Sequence, residues 1–176
     1  MRNVVKRLCA MLGVVCLVTN LASHAAAQPV NETPTLGPET NLPLPRFVSL
    51  KTSESNVRRG PSLSHRIDWV FTRRHMPLQV IAEYGHWRRV IDRDGQGGWV
   101  HYTMLSGART VLIDGEITAL RARPEEGALE NAMLEPGVIA RLGQCTPDWC
   151  RLTAGGYRGW APKATLWGVA ESEIRD

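Results

Sequence analysis

The sequence predicts an all-β fold made of two tandem copies of one small unit, and two observations carry that prediction. First, beyond Arg46 the chain runs in short alternating apolar and polar stretches separated by Gly, Asp and Pro clusters. Turn signals at intervals of roughly 8 to 12 residues are the pattern of short strands. "LQVIAEY" followed by "HWRRVI", and "GVIARLG" followed by "WCRLT", each read as a hairpin, while "GQGGWVHY" and "GGYRGWAP" each lead a turn straight into a tryptophan. Second, the two halves match. "VRRGPS" from Val57 answers "LRARPE" from Leu120, "HWRRV" from His86 answers "DWCRL" from Asp148, and "GGWVHYTMLSG" from Gly97 answers "RGWAPKATLWG" from Arg158, at offsets of 63, 62 and 61 residues. So small a drift over a whole unit indicates duplicated structure.

The first copy resembles the bacterial Src-homology-3-like (SH3-like) domain. The residues that carry the resemblance are "SNVRRGPS", then "HWRRV", then "DGQGGWV", closing at Leu105. The second copy keeps Arg121, Pro124, Trp149, Gly159, Trp160 and Leu166, but has Ala119 in place of Asn56, Arg123 in place of Gly60 and Glu125 in place of Ser62. The resemblance implies two small β-barrels of five or six strands each, the second one degenerate. A unit of about 60 residues buries only about 60% of its unfolded surface, so it gains from a packed neighbour or a cross-link.

Five segments follow. Residues 1–27 read as a signal peptide: Arg2, Lys6 and Arg7, an apolar run to Leu21, then Ala25 and Ala27 as the small residues before a cut. The run is shorter than the roughly 20 residues of a membrane-spanning helix. Neither Cys9 nor Cys16 follows the small residue of a lipoprotein box. Residues 28–45, with Pro29, Pro34, Pro38, Pro43 and Pro45, read as an extended tether with little to bury. Residues 46–113 are the first barrel, 114–170 the second, and 171–176 a tail. The expected location is outside the cytoplasm, in a bacterial periplasm or beyond it, with no transmembrane segment left after cleavage.

Charge supports the same picture. The net charge of +4 falls to +1 when the three basic residues of the signal leave, so the basic balance is a targeting feature and no argument for nucleic acid. The remainder is uneven: residues 46–113 hold 11 basic and 5 acidic side chains, residues 114–176 hold 7 and 10.

After cleavage only Cys145 and Cys150 remain. In an oxidising compartment an even pair at short separation is expected to be bridged, and a four-residue loop places the two opposite one another on a hairpin. A redox pair would show Cys-x-x-Cys at a helix start, and a zinc site would need a second pair of ligands. The predicted disulfide clips the weaker copy. At the equivalent rung of the first copy stand Glu83 and Arg88, which read as an exposed ion pair worth about 0 to 1 kcal/mol.

No residue pattern announces catalysis. His65, His75, His86 and His101 have no metal-ligand spacing, no cofactor is implied, and no Gly-x-Ser-x-Gly elbow occurs. His65, Asp68 and His75, with Ser62 or Ser64, are the one constellation that could assemble a hydrolytic site, and no motif orders them. Trp87, Trp149, Trp99 and Trp160 read as core or hairpin anchors. Trp69, Tyr84, His86 and Tyr102, with Arg73 and Arg74, are the candidate ligand contacts, because aromatic faces beside basic groups suit an extended peptide.

The expected function is a non-catalytic binding module. The resemblance implies peptidoglycan or cell-wall peptides as partner. The alternatives are an adaptor for an extended or Pro-rich peptide of an envelope protein, its own tether included, and, behind that, a cell-wall hydrolase or its regulator.

Overall fold

The computed structural model describes residues 35–176; the predicted signal peptide, its cleavage site and the first part of the tether lie outside the described residues. The described chain begins with β1 (Thr35–Leu36), β2 (Pro43–Leu44), β3 (Arg46–Leu50), β4 (Ser55–Arg58), β5 (Ile67–Phe71), β6 (Pro77–Tyr84), β7 (Trp87–Ile91), β8 (Gly97–His101) and β9 (Leu105–Ser106). It continues with β10 (Thr110–Ile113), β11 (Thr118–Arg121), β12 (Glu130–Leu134), β13 (Ile139–Cys145), β14 (Trp149–Ala154), β15 (Tyr157–Pro162) and β16 (Leu166–Trp167). A 3-10 turn precedes the last strand of each set, at Tyr102–Met104 and Lys163–Thr165. Among the described residues no helix is long and apolar enough to cross a membrane.

The predicted duplication is the organising feature. Seven strands pair in the order β5-β4-β8-β7-β6-β3-β9, and seven more in the order β12-β11-β15-β14-β13-β10-β16, the same path strand for strand. Even the irregularities repeat: the register slips after Val57 and after Leu120, and again after Val80 and after Leu142. Each copy thus has one strand more than the resemblance implied. The addition is the two-residue strand that follows the 3-10 turn and pairs with the first strand of its own repeat.

Each repeat folds around its own aliphatic core. Leu50, Val57, Phe71, Leu78, Val80, Val90 and Val100 are buried in the first, and Ile113, Leu120, Leu134, Ala140, Leu142, Leu152 and Ala161 hold the equivalent positions in the second. Three positions grew (Val57, Val80 and Val90 became leucines) and three shrank (Phe71, Leu78 and Val100 became Leu, Ala and Ala). Exchanges that conserve volume are the ones a packed core tolerates. The four tryptophans expected as core or hairpin anchors are half-buried. The two-residue period explains this: Gly98 and Val100 face inward on β8, so Trp99 stands on the outer face, opposite Arg58 and Arg89.

The glycine before each of these tryptophans has a steric reason. A Cβ on Gly98 would lie 2.7 Å from the Arg58 carbonyl oxygen, and one on Gly159 2.8 Å from that of Arg121. Arg58 and Arg121 also do matching work, donating from Nη1 to the His65 carbonyl at 2.7 Å and to the Ala128 carbonyl at 3.1 Å. Both arginines therefore tie down the loop that follows them. The loss of Gly60 in the second copy is compensated as well. A Cβ on Gly60 would collide with the His65 ring. The equivalent of His65 is Ala128, which leaves room for Arg123.

The two repeats pack directly against one another. Thr110 Oγ1 donates to the His75 carbonyl at 2.7 Å and Arg73 Nη2 to the Gly137 carbonyl at 2.7 Å. Arg93 pairs with Asp114, and Phe47 meets Trp167 edge-on at 5.3 Å.

Residues 35–45 bury little, as the composition suggested, but they are folded and docked where an extended tether was expected. β1 and β2 pair as a hairpin whose loop sits on the first repeat. The side chain of Glu83, fully buried, accepts from the N–H of Glu39 at 3.0 Å, from the N–H of Thr40 at 2.9 Å and from Thr40 Oγ1 at 2.7 Å. Arg46 Nη2 donates to the same carboxylate at 2.6 Å, and Arg88 Nε lies 3.4 Å from it. Gly37 must be glycine, since a Cβ there would strike this carboxylate. The Glu83–Arg88 pair is thus buried and not exposed, because the Pro-rich segment folds back over it.

In the second repeat the equivalent rung is the Cys145–Cys150 disulfide, with Cα atoms 4.1 Å apart. Here the tail 171–176 does the covering. Cys145 N–H donates to the Arg175 carbonyl at 2.7 Å and Arg175 N–H to the Cys145 carbonyl at 3.0 Å. Glu173 binds Arg109 through two hydrogen bonds of 2.8 and 3.0 Å. Burial opposes its charge, but the Arg109 guanidinium holds its carboxyl below the ordinary carboxylate range.

Burial likewise opposes the charge of Glu83, yet hydrogen bonds from the Thr40 hydroxyl and the Arg46 guanidinium, then from the two backbone N–H groups, hold its pKa down at about 2. A pKa lowered on folding gives stability that is complete above the unfolded value, about 4.5, and lost as the pH falls toward about 2. Glu83→Gln is therefore expected to cost up to about 3 kcal/mol near neutral pH. Urea titrations of wild type and variant should converge as the pH approaches about 2. Replacing Cys145 and Cys150 by alanine removes a short loop closure worth about 2 kcal/mol. Hydrogen exchange should show the lost protection in β13 and β14 and none in β6 and β7.

Candidate functional site

The two-residue period of β4, β7 and β8 sends Asn56, Trp87 and His101 away from the core, and the loop after β4 comes over them. The result is a cleft of about 310 Å3 lined by Glu54, Asn56, Arg58, Leu63, Trp87 and His101 among others. Leu63 stands 77% exposed at its lip, held there because Arg58 Nη1 also donates to the Leu63 carbonyl at 3.0 Å.

Rings gather beside this cleft. The His101 ring meets Trp87 edge-on at 5.4 Å and Tyr102 at 5.0 Å, and His86 lies 5.8 Å from His101 and 5.6 Å from Tyr102. His101 Nδ1 shares a 2.8 Å hydrogen bond with Thr103 Oγ1, which sets the ring's orientation. The Arg88 guanidinium carbon is 6.0 Å from the Tyr102 ring centre. Arg88 is also the partner of Glu83, so the buried carboxylate that seats the N-terminal hairpin is connected to the aromatic group through a single side chain.

Of the predicted contacts, His86 and Tyr102 come together here. Tyr84 pairs with Trp87 across the hairpin and is 63% exposed, but its ring stacks on none of the others. Trp69, 49% exposed, stands on the edge strand β5 opposite Val57 and joins none of these ring pairs. Arg73 is engaged with Gly137 of the second repeat, and Arg74 lines a cleft between the repeats with His75. Trp69, Arg73 and Arg74 were grouped with the rings because aromatic faces beside basic groups suit a peptide; β5 and the turn after it carry them to other faces.

Trp87, His101 and Arg88, which adjoin the cleft and the rings, were not among the predicted contacts. The repeat itself held the signal. The positions equivalent to His86, His101 and Tyr102 are Asp148, Pro162 and Lys163, so the framework is kept while these outward side chains change. In the second copy the equivalent space is divided: Ile117, Thr118, Ala119, Arg121, Pro162 and Thr165 among others line a cleft of about 230 Å3, and Glu126, Trp149, Pro162 and Lys163 among others line one of about 420 Å3. Lys163, beside Trp149 in the larger of these, is buried, its Nζ donating to the Glu171 and Glu173 carbonyls at 2.9 Å each.

The hydrolytic constellation does not assemble. Arg59 and Arg66 bind Asp68 at 2.9 and 2.7 Å, holding its carboxyl below the usual carboxylate range, and His65 packs over Gly60. The carboxylate is thereby committed to two guanidinium groups instead of orienting an imidazole. Among the described residues no three His, Cys, Asp or Glu side chains converge on a metal-sized position.

Comparison with known proteins agrees with the repeat. A family model for the bacterial SH3 domain matches residues 51–107 and again residues 114–168. No curated protein sequence matches the chain. Among solved structures, NlpC2 from Trichomonas vaginalis is similar at 11% identity and a TM-score of 0.33, over 70% of this chain and 48% of that one. NlpC1 from the same organism is similar at 11% identity and a TM-score of 0.33, over 74% of this chain. The chain spans about half the length of either, 48% in both cases. With the model matched twice, in register with two strand-for-strand equivalent sheets, this chain belongs to the bacterial SH3 domain family.

Proposed function

We propose that the protein is a non-catalytic binding module of the bacterial envelope, exported through residues 1–27, whose first repeat holds peptidoglycan or a cell-wall peptide in the cleft beside Trp87. The domain family is one of binding modules. The observation that carries the reading is the contrast between the cleft of the first repeat and the equivalent space of the second. The first is bordered by the rings of His86, His101 and Tyr102; in the second, Asp148, Pro162 and a buried Lys163 stand at those positions. Exposed rings held at fixed separations offer flat apolar faces with polar edges, suited to the mixed surface of a peptide or glycan chain. Arg58, Asn56 and Glu54 add hydrogen-bonding groups on the opposite wall.

One observation favours a second reading, an adaptor that takes an extended or Pro-rich peptide of another envelope protein. The chain's own segment with Pro38 and Pro43 is seated on the first repeat, its loop hydrogen-bonded to Glu83. A foreign segment of like chemistry would compete for that seat.

Co-sedimentation with purified sacculi separates the two. Wild-type protein should pellet at low salt, and Tyr102→Ala and His86→Ala should each weaken retention roughly tenfold, as loss of an anchoring side chain does. Tyr157→Ala, on the second repeat, should leave it unchanged. Failure to pellet, together with capture of an envelope protein that Glu83→Gln enhances, would transfer the function to the adaptor reading.

A further inference from the structure

The second repeat carries a feature that neither its fold nor the cleft beside Trp87 accounts for. On the outer face of its central strands, Arg141 of β13 is the register partner of Thr153 of β14, which is the partner of Arg158 of β15. Arg151 lies two residues before Thr153 on the same face, beside Trp160. Gly143 stands next to it without a side chain. The three guanidinium groups, all exposed, border a cleft of about 420 Å3 with Thr153 at its centre.

Three like charges on adjacent rungs of a sheet repel one another. Among the described residues no carboxylate lies within ion-pair distance of any of them, although Arg121, Arg123 and Arg109 of the same repeat and its linker each have one. This is the more unexpected because residues 114–176 hold more acids than bases, 10 against 7. The acids are elsewhere, and these cations are left together.

The first repeat shows that the fold does not require them. The equivalents of Arg141, Arg151, Thr153 and Arg158 are Gln79, Arg89, Ile91 and Gly97, one cation where the second copy has three. The basic face also extends beyond its own repeat. Arg141 and Thr153 are shared with a neighbouring cleft of about 530 Å3 between the repeats, whose other walls include Arg74 and His75. A row of cations thus runs from the first repeat across the outer face of the second.

We propose that this row is a second binding site, for an extended linear polyanion bearing phosphate or carboxylate groups along its chain. Two contiguous recessed clefts fit a flexible chain better than a flat bilayer. None of the large apolar side chains exposed in this structure lines either cleft, so nothing there would insert into lipid. Arginine forks bind phosphate and carboxylate oxygens in pairs, and displacement of counterions makes such binding steeply salt-dependent.

The test uses the protein with soluble polyphosphate, soluble polyglutamate and vesicles of anionic phosphatidylglycerol as separate probes. One or both polymers should bind at low salt and be released as salt rises, and the better polymer identifies phosphate or carboxylate as the group read. The triple variant Arg141→Gln, Arg151→Gln, Arg158→Gln should bind at least about tenfold more weakly, while Arg89→Gln stays within about twofold of wild type. Thr153→Glu provides a variant that cannot lose binding merely by unfolding. Its carboxylate sits between the arginines, so it should raise the melting temperature while abolishing polymer binding. Polymer binding that survives the triple variant or Thr153→Glu overturns the proposal, as does absence of polymer binding at low salt or preference for vesicles over both polymers. Each result is independent of retention on sacculi by Tyr102 and His86.

Discussion

One rung of the central hairpin, Glu83 opposite Arg88 in the first repeat and Cys145 opposite Cys150 in the second, supports both ends of the described chain. The long strands β6 and β13 outrun the strands beside them: β3 reaches β6 only as far as Val80, and β10 reaches β13 only as far as Arg141. An unpaired strand edge is an invitation to wrong partners unless it is covered. Each repeat covers it with a chain end, the hairpin 35–44 in one and the tail at Arg175 in the other. The chemistry differs because the coverings differ. A loop presenting N–H groups needs a buried carboxylate, and a carboxylate so placed needs Arg46 and Arg88 around it. A tail that pairs backbone to backbone needs no side chain, which leaves the rung free to hold a disulfide.

Duplication also explains how two surfaces of one fold diverged. Inward-facing positions are constrained by volume, and the exchanges between the two cores balance growth against shrinkage. Outward-facing positions carry no such restriction. The first repeat uses its freedom at His86, His101 and Tyr102, which border an open cleft. The second has Asp148, Pro162 and a lysine held by the tail at those positions, and concentrates cations on another face, at Arg141, Arg151 and Arg158. One framework thus presents rings beside a cleft in one copy and clustered cations on another face in the other.

Much of this was readable beforehand from particular residues. The offsets between "VRRGPS" and "LRARPE", and between "HWRRV" and "DWCRL", carried the tandem fold, the equivalence of Glu83 and Arg88 with the two cysteines, and the disulfide. Local pattern suffices there because strand alternation and turn chemistry act over a few residues. Burial of Glu83 was out of reach: the groups that enclose it, Glu39 and Thr40, lie some 40 residues earlier in a segment whose composition argues for an open tether. The aromatic group was half visible. All six candidates were chosen for their chemistry, and residue type alone does not say which face of a sheet a side chain joins: His86 and Tyr102 meet, while Trp69, Arg73 and Arg74 stand elsewhere.

By itself, then, the sequence determined an all-β chain, its two repeats, the one rung they share and the covalent bond that braces the second, because each depends on spacing along the chain. Only the tertiary structure decided which face each tryptophan occupies, that the Pro-rich segment and the tail cap the two hairpins, and which cations stand together without acids. Those depend on strands distant in sequence meeting edge to edge. The sign of the alternation, and the partner across each edge, are set when the sheets close around their cores.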